Sequence, residues 1–170
     1  LSSQMLPDWA YLAKDIVLSA PTKPRLGVHP ALKNLLGAPQ EKTVIGLQWR
    51  GGTKGFNERS VPLATLGQHL RPGERYVSLQ RDMHPNEARQ LSEIAHTLGC
   101  KIQGCGFDLT DHPRLLKSMA ASLKSVISVD GTALHLAGQL GVPATMIGPK
   151  GQSGWHWFDA DWGLSAVYSD

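Results

Sequence analysis

One stretch, residues 126–149 (VISVDGTALHLAGQLGVPATMIGP), constrains the fold more than any other part of the sequence. It opens with a β-branched run without charges, which predicts a strand buried on both faces. Apolar residues then repeat at helical spacing over 133–140, and Gly141 and Pro143 end that helix. A second apolar run covers 144–147. The order of strand, helix and strand predicts a parallel β-α-β crossover.

The junction between the first strand and the helix consists of Asp130, Gly131 and Thr132. The first backbone N–H groups of a helix have no partner inside the helix, so this turn offers donors to an anion. Gly131 lets another group approach the backbone closely, and Thr132 adds a hydroxyl donor. Asp130 either caps the helix or accepts a hydrogen bond from a ligand hydroxyl, and the residues leave both roles open.

The rest of the chain divides into two parts. Residues 1–41 predict a connecting segment, helical over 8–18, that packs on a domain covering 42–170. In that domain, strand-like runs alternate regularly with helix-like runs, and Ser60 is expected to cap the first of these helices. The predicted strands are 43–49, 75–79, 101–103, 126–129 and 144–147, with a sixth at 164–168.

This alternation predicts an α/β fold: a Rossmann-like three-layer sandwich with a doubly wound, mainly parallel sheet of five or six strands. The simplest strand order is 3-2-1-4-5, with the sixth strand at the edge. The first and fourth strands are then neighbours, and their exit loops, 50–59 and 130–132, face one another at the switch point of the sheet. Loop 50–59 holds three glycines, two arginines and a lysine. A cationic glycine loop opposite a helix amino terminus predicts a phosphate or diphosphate site.

Several classes of protein are disfavoured. The sequence lacks the G-x-G-x-x-G, G-x-x-x-x-G-K-[ST] and G-x-S-x-G patterns of dinucleotide-binding proteins, P-loop nucleotidases and hydrolases with a nucleophile elbow. A net charge of +3 without a lysine or arginine run suits an anionic small molecule, so we expect no nucleic-acid partner. Two cysteines, Cys100 and Cys105, are too few for a disulfide framework, and seven scattered histidines predict no metal site.

The two cysteines, too few for a disulfide framework, favour a reduced, cytoplasmic setting. The sequence contains no apolar run of transmembrane length and no signal peptide, and we expect no resident cofactor. The 170 residues include 41% hydrophobic and 18% charged residues, which is enough apolar side chain for one buried core. The chain starts at Leu1 instead of methionine, so we expect it to be part of a longer protein.

Residues 126–149, together with IGLQWRGG, RSVPLATL and YVSLQRD, resemble the C-terminal half of glycosyltransferases of the heptosyltransferase kind (family 9). They look closest to the related domains found behind tetratricopeptide repeats. The resemblance covers roughly 42–170, and its most specific part is the pattern D-x-x-x-x-H-L-A-x-x-L-G-x-P. It implies the glycosyltransferase B fold, in which two Rossmann-like domains face each other across a cleft and the C-terminal one holds the nucleotide-sugar donor.

The resemblance also implies site residues. Contacts to the donor phosphates are implied at Arg59, Asp130, Gly131, Thr132 and His135. Arg50 and Lys54 are either salt partners of other residues or further ligands of the same phosphates, and His135 is alternatively a helix residue satisfied by a neighbour. The residues implied to border the base or the ribose are Gln80, Asp82, Phe107 and Thr110.

A mechanism follows from the resemblance. Departure of a nucleoside diphosphate builds negative charge on phosphate, which the helix end and Arg59 would stabilise without a metal. The general base would come from an N-terminal acceptor domain that is missing here, so we assign no catalytic residue and expect no turnover by this chain alone. Two alternatives stay open: a degenerate, non-catalytic binding module, or a nucleotide-sugar epimerase or hydrolase that draws its acid and base from Asp82, Asp108 and His135.

Overall fold

The protein is described here by a computed structural model, which covers Leu36 and residues 42–51, 60–105 and 113–147, with backbone only for the first four residues of the last range. Within these ranges strands and helices alternate. In chain order they are β1 (Val44–Gln48), α1 (Leu63–Gly67), β2 (Arg75–Ser78), α2 (Pro85–Leu98), β3 (Lys101–Gly104), α3 (Pro113–Ser122), β4 (Ser125–Ser128), α4 (Thr132–Gln139) and β5 (Ala144–Met146).

The five strands form one parallel sheet in the order β3-β2-β1-β4-β5. This confirms the predicted α/β, Rossmann-like class and the predicted order of the first five strands. The sixth strand predicted at 164–168 lies outside the described residues, as does the connecting segment 1–41 except for Leu36. Because β1 lies in the centre of the sheet, between β2 and β4, the residues that follow these three strands start side by side at one edge.

The first face of the sheet carries α1 and α2. Ile45 and Leu47 of β1 belong to this core, together with Leu63 and Leu66 of α1 and Leu91 of α2. Each of these side chains is less than a tenth exposed. The apolar faces of both helices and alternate residues of the central strand therefore belong to one core, as the period of two in a strand requires.

The second face of the sheet carries α3 and α4. Val44 belongs to this core with Met119 from α3, Leu123 just after that helix, Ala137 from α4, and Leu36 from the segment before the sheet. Both faces of β1 are thus covered, and all five of its residues are buried. Burial on both faces is what a central parallel strand requires and what its nearly continuous apolar sequence predicts.

Ser60 does not cap the first helix, which begins three residues further along the chain. Pro62 is the N-cap of α1, with no capping hydrogen bond from a side chain. The Ser60 hydroxyl oxygen instead accepts a hydrogen bond from the backbone N–H of Gly51 at 3.3 Å. The prediction was wrong because this hydroxyl joins the two ends of the 50–59 loop, a contact between residues nine positions apart that local helix signals do not carry.

Candidate functional site

The residues that follow β4, β1 and β2 are connected by backbone hydrogen bonds at the carboxyl edge of the sheet. The Val129 N–H donates to the Gln48 carbonyl at 3.0 Å, and the Leu79 N–H donates to the Leu47 carbonyl at 2.8 Å. The exit of β1 is therefore held between the other two exits. This arrangement confirms that the first and fourth strands are neighbours, which is the topological basis of the predicted site.

A buried glutamine joins the exit of β1 to the beginning of α4. Gln48 is only 7% exposed, and its Oε1 accepts a hydrogen bond from the Ala133 N–H at 3.2 Å. The Ser128 hydroxyl lies 3.1 Å from the same oxygen. Our reading of the sequence did not single out Gln48. The available signal was a long polar side chain at the end of an otherwise apolar strand.

The turn between β4 and α4 holds Asp130 nearly buried. Gly131 is the N-cap of α4 and makes no capping hydrogen bond of its own, and the Ala133 N–H is bound by Gln48 and not by Asp130. The capping role left open for Asp130 is therefore not the one observed. Asp130 Oδ1 lies 3.8 Å from Nε2 of His135, one helical turn further along. That distance fits an ion pair with a protonated imidazole and is too long for a hydrogen bond.

The two partners of this pair differ in exposure. The Asp130 side chain is 7% exposed and that of His135 is 41% exposed. Thr132, the first residue of α4, is exposed. The start of α4 thus combines a nearly buried carboxylate with a hydroxyl and an imidazole that solvent or a ligand can reach. Their contact with a donor stays a prediction.

A second buried glutamine, Gln80, joins the exits of β1 and β2. Its Oε1 accepts hydrogen bonds from the backbone N–H groups of Arg50 at 2.9 Å and Trp49 at 3.3 Å. Its side-chain amide donates to the Arg81 carbonyl at 3.1 Å. Gln80, which the resemblance implies to border a base or ribose, is only 8% exposed. Its side chain holds the backbone at the start of the loop after β1.

Glu87 lies in the first turn of α2, and its carboxylate accepts four hydrogen bonds. Its carboxylate accepts hydrogen bonds from Trp49 Nε1 at 2.8 Å, Arg50 Nε at 2.7 Å, Arg50 Nη2 at 3.0 Å and the His84 N–H at 2.8 Å. Arg50 Nη2 also donates to the Asp82 carbonyl at 2.6 Å. Arg50 is therefore a salt partner of Glu87, one of its two predicted roles, and its contact with phosphate stays a prediction.

The donors around Glu87 make the stability of the protein depend on pH. Burial alone raises the pKa of a carboxyl group, but hydrogen bonds from Trp49, the His84 backbone and Arg50 outweigh burial and hold the pKa of Glu87 below its ordinary value. A carboxyl with a lowered pKa in the folded state adds stability above its unfolded pKa, and this stability is lost as the pH falls through the folded pKa.

We therefore expect stability to fall from about pH 5 downwards, and Glu87→Gln to remove part of that loss. The measurement is urea unfolding at pH 7, 5 and 3.5 for both proteins. Glu93→Gln, an exposed carboxylate on the same helix, is the matched control. The same pH slope for Glu87→Gln and the parent would contradict the prediction.

Of the predicted site residues not yet placed, Asp82 is the one that lies among the described residues. Asp82 follows β2, is exposed, and adopts a left-handed backbone conformation with φ of 53°. Its carboxylate pairs with Arg81 at 3.1 Å, an exposed pair that contributes little to stability. Lys54, Arg59, Phe107 and Thr110 lie outside the described residues.

An open groove of about 990 Å³ runs between α1 and α2 on the first face of the sheet. Trp49, Arg50 and Glu87 line it, with Leu63 and Ile94 among its apolar walls. It lies beside the exit of β1, on the side away from β4. In the ranges that the structure covers, no cluster of three or more histidine, cysteine, aspartate or glutamate side chains is suited to a metal ion. No helix there is long and apolar enough to cross a bilayer.

Comparison with curated proteins gives only short matches, and no family model matches the chain. The chain is 40% identical to lipoyl synthase of Wigglesworthia glossinidia brevipalpis over 53 residues, which are 31% of this chain and 17% of that protein. It is 43% identical to lipoyl synthase of Rhodopirellula baltica over 51 residues, 30% of this chain and 16% of that protein. The matches thus span about a sixth of these relatives.

Among solved structures, the chain is similar to E. coli heptosyltransferase WaaC with ADP-2-deoxy-2-fluoro heptose. The similarity covers 72% of this chain and 39% of that protein, with 17% sequence identity and a TM-score of 0.42. Neither this likeness nor the short lipoyl synthase matches show membership of a family. The described residues form an α/β, Rossmann-like domain with a buried glutamine and a helix amino terminus at the switch point of its sheet.

Proposed function

We propose that this chain binds the diphosphate of a nucleotide-sugar donor for a metal-independent glycosyltransferase. The observation that carries the proposal is the position of α4. It begins at Thr132, immediately after the exit of β4, and β4 pairs directly with the central strand β1. Ligands of doubly wound sheets bind at such a switch point, and the amino terminus of a helix favours an anion there.

The chemistry of this turn suits a diphosphate. The partial positive charge at the start of α4 attracts phosphate, and the Thr132 hydroxyl is exposed beside it. A protonated His135, already near Asp130, adds a donor one turn further along. In the proposal, Arg59 and Lys54 of the 50–59 loop complete the positive side of the site, and Phe107 and Thr110 border the base.

The chain is proposed to supply donor binding and not the whole reaction. As the diphosphate leaves the anomeric carbon, charge grows on its oxygens, and fixed N–H donors at the helix start stabilise this charge without rearranging. The base that removes the proton from an acceptor hydroxyl belongs, in this proposal, to a separate N-terminal acceptor domain. We therefore expect this chain to bind a donor without transferring its sugar.

A panel of ADP, UDP, GDP and their common sugar conjugates tests the proposal by thermal shift and calorimetry. We expect one nucleoside diphosphate to stabilise the protein, by about 2.7 kcal/mol at a hundredfold excess over its Kd. Asp130→Ala and Arg59→Ala should abolish the effect. Arg71→Ala, an exposed arginine before β2 at the opposite edge of the sheet, should keep it. Absence of binding by every compound, or equal binding by all variants, would refute donor binding at this turn.

One observation favours a second candidate, a non-catalytic module that binds an anion or a partner. Gln48 already accepts a hydrogen bond from the Ala133 N–H, one of the first donors of α4. A site partly filled by its own side chain is suited to a smaller anion. Stabilisation by pyrophosphate, with no further gain from any nucleoside or sugar, would favour this candidate. The epimerase or hydrolase alternative stays a prediction, because Asp108 lies outside the described residues.

A further inference from the structure

The carboxamide of Gln48 binds one of the first backbone donors of α4. Ala133 is the second residue of that helix, so its N–H is one of the first-turn donors that point along the helix axis towards an incoming anion. Gln48 Oε1 accepts from this N–H at 3.2 Å. The orientation of the amide follows from chemistry, because a backbone N–H only donates and the atom that faces it must be the oxygen.

The Ser128 hydroxyl is a weaker partner of this carboxamide. It has a single hydrogen and lies 2.7 Å from the Val129 carbonyl and 3.1 Å from Gln48 Oε1. The shorter contact favours the carbonyl. The Ala133 N–H is therefore the donor that holds the oxygen of Gln48 in place, and the side chain, only 7% exposed, is fixed against the helix start.

Gly131 is fitted to this arrangement by its lack of a side chain. A Cβ at position 131 would lie 2.9 Å from Oε1 and 3.2 Å from Nε2 of Gln48, closer than ordinary van der Waals contact. The backbone there is extended, with φ of −163°, so its conformation does not require glycine. The required feature is space. Gln48 and Gly131, one from each neighbouring exit, therefore form a single packed unit at the helix start.

We propose that Gln48 is a specificity-determining residue. Its neutral carboxamide competes with an anion for the Ala133 N–H at the start of α4. A bound phosphate either displaces the carboxamide from the Ala133 N–H or binds only the backbone N–H groups that precede Ala133 in the chain. The affinity of the site for phosphate is then set by the charge and hydrogen-bonding capacity of side chain 48. The link to a nucleotide sugar rests on the proposed function, whereas competition between the carboxamide and an anion is testable separately.

The test compares Gln48→Met with Gln48→Glu, two substitutions close to glutamine in size. Methionine leaves the Ala133 N–H without an acceptor, so we expect this variant to bind pyrophosphate about tenfold more tightly than the parent, although its own stability falls. Glutamate puts a negative charge at the same place, so we expect about tenfold weaker binding. Gln90→Glu, an exposed position on α2, controls for the change in net charge.

The readout is the Kd for pyrophosphate from calorimetry, with cooperative thermal unfolding as the check that each variant folds. A merely structural role would weaken binding in both Gln48 variants or leave it unchanged, and either outcome overturns the inference. Failure of pyrophosphate to bind any of the proteins overturns it as well. Changes of opposite sign in the two variants, with no binding of any nucleoside diphosphate by the parent, would support the role of Gln48 and refute the proposed function.

Discussion

Replacement of Glu87 by alanine is expected to lower the free energy of unfolding by about 3 kcal/mol. The carboxylate joins the exit of β1 to the start of α2 through Trp49, Arg50 and the His84 backbone. The side chains of Arg50 and Glu87 are 28% and 16% exposed, so water replaces the lost contacts only in part. Most of the effect comes from leaving the Trp49 indole N–H and the Arg50 guanidinium without their acceptor.

Urea unfolding at pH 7 measures the effect, and Glu93→Ala on the same helix is the control. Glu93 is exposed, so its replacement should change stability by no more than about 0.5 kcal/mol. Glu87→Gln should cost less than alanine, because the amide oxygen retains an acceptor for Trp49 or Arg50. A loss below about 1 kcal/mol for Glu87→Ala would show that the cluster around Glu87 does not hold the exit of β1.

The second large effect is expected at the centre of the sheet, where Gly46→Ala should destabilise the protein by about 2 to 3 kcal/mol. A Cβ at position 46 would lie 2.6 Å from Leu79 Cδ1 and 2.7 Å from Leu123 Cδ1. Both leucines are buried in the second-face core, so neither has an open direction in which to move. The strand must shift or both side chains must leave their rotamers, and each response costs free energy.

Gly67→Ala is the matched control, and the opposite sign is expected for it. Gly67 ends α1, and a Cβ there would lie 3.4 Å or more from Ile94, an ordinary contact. Alanine is favoured over glycine in a helix, by up to about 1 kcal/mol at interior positions, so this variant should be at least as stable as the parent. Chemical denaturation of both variants checks the pair. Equal destabilisation at the two positions would contradict the proposed crowding around Gly46.

The sequence by itself determined the class of fold and the order of the strands. The β-α-β unit at 126–149 is marked by local signals: a β-branched run, helical spacing and the breakers Gly141 and Pro143. Such signals come from neighbours within a few residues, and right-handed parallel crossovers leave few possible topologies for regularly alternating elements. The order β3-β2-β1-β4-β5 could therefore be predicted, together with the neighbouring exits of β1 and β4.

Only the tertiary structure decided which side chains build the edge of the sheet. Glu87 lies 38 residues from Trp49, and Gln48 lies 85 residues from the backbone donor that it accepts from. The local pattern of the sequence gave no role to Glu87 or to Gln48. Their partners depend on the register between parallel strands, since a shift of one residue turns each side chain to the other face. The periodicity of the sequence does not specify that register, so these contacts could be identified only from the tertiary structure.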